Sequence, residues 1–116
     1  MITTNKFDIT LPVNITNAVI EVIMSEAKEA CAHWCKVVPE EGNGYRLECH
    51  EDIIYHILTQ DKILEGIKKY LENPTAGDFL EVVDHELHVD TNYLEEEEVD
   101  AIIQYAVMGK IFYERP

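Results

Sequence analysis

The chain has 116 residues, 47% of them hydrophobic, and a formal net charge of −14. That length fits one domain, spanning 1–116, and is enough to bury a core, hiding roughly two-thirds of the unfolded surface. The apolar content argues against disorder despite the charge. No apolar run reaches the roughly 18 residues of a spanning helix, and the negative balance argues against direct binding of duplex nucleic acid or an anionic membrane.

The opening, MITTNKFDITLPVN, lacks a basic region followed by an apolar run, so a cytoplasmic location is expected over secretion. Phe7, Ile9, Leu11 and Val13 alternate with polar residues and predict a strand, with Pro12 marking an edge or an end. Asn14 or Thr16 can cap the next element. Helical spacing of Ala18, Val19, Val22, Ile23, Ala27, Ala30 and Trp34 predicts a first helix to about Trp34, with that Trp in the core. Lys36–Pro39 reads as a short strand, Glu41–Gly44 as a turn, and Tyr45–Cys49 and Ile53–Leu58 as further antiparallel strands. Thr59 caps a second helix whose apolar face is Ile63, Leu64, Ile67, Tyr70 and Leu71, and Asn73-Pro74 stops it. Gly66 inside that helix suggests a close helix–sheet approach.

Phe79–Val83 and Leu87–Val89 are open between strand and irregular structure. Asn92 followed by Glu95 has capping-box spacing. A third helix carries Val99, Ile102, Ile103, Ala106 and Val107 on one side and ends at Gly109, and Ile111–Tyr113 reads as a last strand. The expected fold is α+β, three helices packed on a small antiparallel sheet.

From Glu72 to Gly109 the sequence holds eleven carboxylates and no Lys or Arg. A solvated face is the default reading of such a run, but solubility alone is normally met by mixed signs, so the sharper reading is a basic partner. The residues expected to meet it are Glu95, Glu96, Glu97, Glu98 and Asp100, with Asp84, Glu86 and Asp90. Carboxylates spaced over a rigid surface can occupy a basic nucleic-acid channel on another protein.

The segments ACAHWCKVV, LTQDKILEGIKKYLE and VDAIIQYAVMGKIFYE resemble a group of small proteins encoded by bacteriophages, prophages and conjugative elements of Gram-positive bacteria. The resemblance covers most of the chain beyond the first strand and brings no catalytic residues with it. Where the group has small residues beside the Trp, this chain has Cys31 and Cys35. The resemblance implies an accessory protein of a mobile element, of the sort that binds and blunts host defence.

Three other constellations carry chemistry. Cys31, His33, Cys35, Cys49 and His50 are zinc-ligand types, but no C-x-x-C pair exists and His33 lies roughly 160° round the helix from the two thiols. Reduced core thiols are expected, and neither a metal nor another cofactor. If extended, Asp84, Glu86, His88 and Asp90 would share one strand face. A metal-dependent hydrolase on His85, His88 and Asp90 is one alternative. The other is an oligomeric sponge for a signalling nucleotide, held by Arg46, Lys62, Lys68 and Lys69 with Tyr70. The leading expectation is a non-enzymatic, stoichiometric inhibitor acting through its acidic face.

Overall fold

The structure, a computed structural model, describes residues 11–40, 42, 44–72 and 80–114. Among these residues the fold is α+β, with three helices and two three-stranded sheets. The expected single antiparallel sheet is therefore two. Strands β2 (Cys35–Glu40), β3 (Gly44–Cys49) and β4 (Tyr55–Thr59) form an antiparallel sheet in sequence order. In the other sheet, β6 (Glu86–Val89) lies between β5 (Leu80–Val83) and β1 (Val13–Asn14), antiparallel to the first and parallel to the second. Most of the strand expected over Phe7–Val13 lies outside the described residues, as do Asn73-Pro74, Asp78 and Phe79.

Helix α1 (Asn17–Ala30) starts at Thr16, whose hydroxyl accepts from the Val19 N–H at 3.3 Å. It stops short of Trp34 because residues 31–34 fold back in a turn that feeds β2. Helix α2 (Gln60–Leu71) is capped by Thr59, as the sequence indicates. Helix α3 (Glu96–Met108) starts one residue after Glu95, whose backbone N–H donates to the Glu98 carboxylate at 3.2 Å. Asn92 is not the cap. It belongs to a 3-10 turn, Thr91–Tyr93, opened by the Asp90 carboxylate. Gly109, at φ 77°, ends α3 in the left-handed region that glycine adopts without strain.

The core gathers Ile20, Ile23 and Ala27 of α1, Ile63 and Ile67 of α2, and Val99, Ile102 and Ile103 of α3 over Leu47, Cys49 and Leu58 of the antiparallel sheet. Trp34, 2% exposed, closes one end. The β1–β6–β5 sheet supplies no fully buried residue; Val89 only packs against the cluster. That sheet therefore stands beside the core as a satellite.

Gly66 marks a close approach of α2 to α3, not of a helix to a sheet. A Cβ there would lie 2.8 Å from the Ala106 Cβ and collide with the Ile102 carbonyl oxygen. Ala is favoured in helices by about 1 kcal/mol over Gly. Here overpacking against helix backbone outweighs that gain. Gly66→Ala should destabilise the fold by about 1–3 kcal/mol, read as a lower urea midpoint with an unchanged slope.

Candidate functional site

Asp100 was expected on the acidic surface, and the structure corrects this: it is 2% exposed. Its position lies roughly 100° round the helix from Val99, on the flank of the apolar stripe. That flank is covered by the 31–34 turn and by residues 112–113. The Asp100 Oδ1 accepts from Trp34 Nε1 at 2.8 Å and from Gln104 Nε2 at 3.1 Å. His33 Nε2 sits 2.7 Å from Oδ2, its N–H donating to the carboxylate. A buried carboxylate is tolerated only when it is hydrogen-bonded in this way.

Gln104, fully buried, extends the network. Its Nε2 donates to the Tyr113 carbonyl at 2.9 Å, while its Oε1 accepts from the N–H groups of Phe112 and Tyr113, both at 2.9 Å. The expected strand Ile111–Tyr113 is absent for this reason. Its backbone groups bond to one side chain in place of a neighbouring strand. Tyr113 then stacks on Trp34, with ring centroids 5.1 Å apart and planes 7° from parallel.

The three cysteines are free and buried. Cys35 lies opposite Cys49 in the β2–β3 register. A hydrogen bond with Cys35, then burial, then the Asp100 charge hold the Cys31 thiol far above its ordinary range. Burial also raises Cys49, against a hydrogen bond with the Tyr113 hydroxyl. Thiolate is the reactive form, so the upward shifts disfavour reaction at Cys31 and Cys49, and all three thiols are buried packing groups. His33 turns to Asp100, and His50 spans from its ring Nε2 to the Ala32 carbonyl at 2.8 Å. Among the described residues no group of three or more His, Cys, Asp or Glu is arranged to hold a metal ion.

The candidate hydrolase residues do not converge. Asp84 and His85, at φ 50° and 66°, are the two central residues of the β5–β6 hairpin turn. Positive φ at both positions is the mirror-image geometry that fits strand twist. Asp84 therefore leaves the face it was expected to share. Glu86 and His88 do share a face, 3.4 Å apart, and Asp90 is engaged at the 3-10 turn.

The cationic set is divided as well. Arg46 lies 3.2 Å from Glu40 and 3.3 Å from Glu48. Lys62 donates to the Ile57 carbonyl at 2.6 Å. Lys68 and Lys69 are at the other end of α2, with Lys69 beside the end of α3 at Gly109. Tyr70 meets Tyr105 edge to face.

Of the carboxylates expected to meet a partner, Asp84 in the hairpin turn and Glu95, Glu96 and Glu97 at the start of α3 are exposed. Glu86, Asp90 and Glu98 are half-buried beside them in the chain. Glu97 also lines a cleft of about 320 Å³ with Asp100, Gln104, Ile111, Tyr113 and Glu114. Comparison with protein-family models, with curated proteins and with solved structures finds no match to this chain.

The sequence reading missed the Asp100–Gln104 pair. Its one signal was two polar residues at i, i+4 on the flank of an otherwise apolar helix face. Two outcomes test the network. Asp100→Ala orphans the Trp34 indole N–H and one Gln104 donor bond, costing about 1–3 kcal/mol for each buried group left unsatisfied; chemical denaturation reads the loss. In the folded protein a thiol reagent should modify all three cysteines slowly, and at least two should react only on unfolding, which a labelling time course followed by mass spectrometry measures.

Proposed function

We propose that this chain is a small acidic binding protein that occupies the basic surface of a partner stoichiometrically. The observation that carries the reading is the placement of Glu95, Glu96 and Glu97, exposed on the first turn of a well-packed helix within a stretch that contains no Lys or Arg. Charge on a rigid element is already ordered before binding, so little entropy is lost when the partner docks. The positive end of the α3 dipole and the Glu95–Glu98 capping box hold this turn in place. The preceding hairpin adds Asp84 on a turn of defined geometry.

Carboxylates fixed in this way suit a groove that otherwise takes the phosphates of a nucleic acid. Together with the resemblance to mobile-element accessory proteins, this favours a host defence factor that binds nucleic acid as the partner, acting in the cytoplasm of the host cell. The thiols and the His33–Asp100 pair are committed to packing, which favours binding over turnover.

A partner captured on the immobilised chain from a bacterial lysate can be purified and its association measured across a salt series. Exposed charge attraction is screened within about 8 Å at physiological ionic strength. The variant Asp84→Asn/Glu96→Gln/Glu97→Gln should associate about ten-fold more slowly at low salt and dissociate at nearly the parental rate. Asp100 is left out of this set because it is buried. Equal association of variant and parent at every salt concentration would reduce the carboxylates to a solubility feature.

A further inference from the structure

A second surface adjoins the acidic one. Ile53, Ile54 and Tyr55, in the β3–β4 connection and at the start of β4, are exposed, Ile53 fully and Tyr55 at 60%. Such side chains usually hide, yet this connection is not loose. The Cys49 N–H donates to the Ile54 carbonyl at 3.2 Å, the His50 N–H to the Trp34 carbonyl at 3.0 Å, and the His50 ring reaches Ala32. Tyr113 stacks on the same Trp34, which brings the C-terminal segment beside the loop. On that segment Ile111 and Phe112 are exposed, Phe112 at 56%, although the backbone of Phe112 and Tyr113 is held by Gln104. The rim is acidic: Glu51 and Asp52 precede the exposed isoleucines, Glu114 follows Tyr113, and Glu97 lies across the cleft. The Lys110 ammonium lies 4.5 Å from the Phe112 ring centroid.

We propose that Ile53, Ile54, Ile111 and Phe112 form the apolar anchor of a docking surface for a cationic amphipathic segment of a partner protein, whose basic side chains meet Glu51, Asp52, Glu97 and Glu114. Charge complementarity fixes the occupant. Apolar side chains held exposed on pinned backbone are the usual centre of an interface, and a charged rim sets partner choice and approach. A second copy of this chain, at −14, would bring the same carboxylates against them. The proposal rests on the acidic binding reading above and adds what holds the partner once it has arrived.

The probe is a synthetic amphipathic peptide with Lys on one face and Leu and Trp on the other. A matched peptide keeps the Lys residues and replaces Leu and Trp by Ser. The first should bind the full chain, with amide shift changes confined mainly to residues 50–55, 97 and 111–114. Ile53→Ser/Phe112→Ser should weaken it at least about ten-fold through faster dissociation. Both side chains are exposed, so the melting temperature should hold and confirm a folded variant. Glu51→Gln/Glu114→Gln should slow association, and more so at low salt.

The docking proposal fails if the Ser variant binds as tightly as the parent, if both peptides bind equally, or if the shifts map elsewhere. It also fails if the chain dimerises in sedimentation and the Ser variant abolishes the dimer. Peptide binding that is lost with the Ser variant but indifferent to salt and to the Gln variant would overturn the acidic reading alone and leave the apolar anchor standing.

Discussion

The rest of the structure hangs on the buried Asp100 carboxylate. It stands on α3 and takes hydrogen bonds from the turn after α1 and from Gln104 one helical turn on. Through Gln104 it also fixes the C-terminal segment, and through Trp34 it fixes the start of the antiparallel sheet. A charge removed from water is costly unless every oxygen finds donors, and here the donors come from separate parts of the chain. The network therefore specifies one arrangement of those parts. An apolar residue in its place could be buried in several.

Around that point the core is built by helices. Gly66 lets α2 settle on α3 at a distance no larger residue permits, and the apolar stripes of all three helices close over Leu47 and Leu58. The three thiols lie in the same region as small buried packing groups, and burial holds those of Cys31 and Cys49 above their ordinary range. The β1–β6–β5 sheet lies outside this arrangement and exposes Val82 and Val83. It serves to carry the Asp84–His85 turn and to lead through the 3-10 turn into the acidic start of α3.

The division of labour follows. His33, Asp100 and Gln104 are hydrogen-bonded to one another or to the backbone in the interior. What faces solvent is negative charge on a fixed helix turn and, beside it, apolar side chains on pinned backbone. Long-range attraction and short-range contact would then come from neighbouring surfaces, as the proposed binding role requires.

Much of the local structure was legible in the sequence. Thr16, Thr59 and Gly109 mark helix ends through their own chemistry, and the 3.6-residue spacing of Val99, Ile102, Ile103 and Ala106 marks a buried face. Alternation in Tyr45, Leu47 and Cys49 marks a strand. These signals act over a few residues, so the sequence carries them whole. The tertiary structure alone decided which flank of α3 is covered, so Asp100 passed for a surface acid. It alone placed Gln104 to take the backbone bonds of residues 112–113, which removed the expected last strand. Glu95, not Asn92, became the α3 cap because Asp90 had already drawn Asn92 into its own turn. In each case the outcome depended on a group distant in sequence or on competition for one donor. Local pattern holds no record of either, because hydrogen-bond partners are settled only when the whole chain has been brought together.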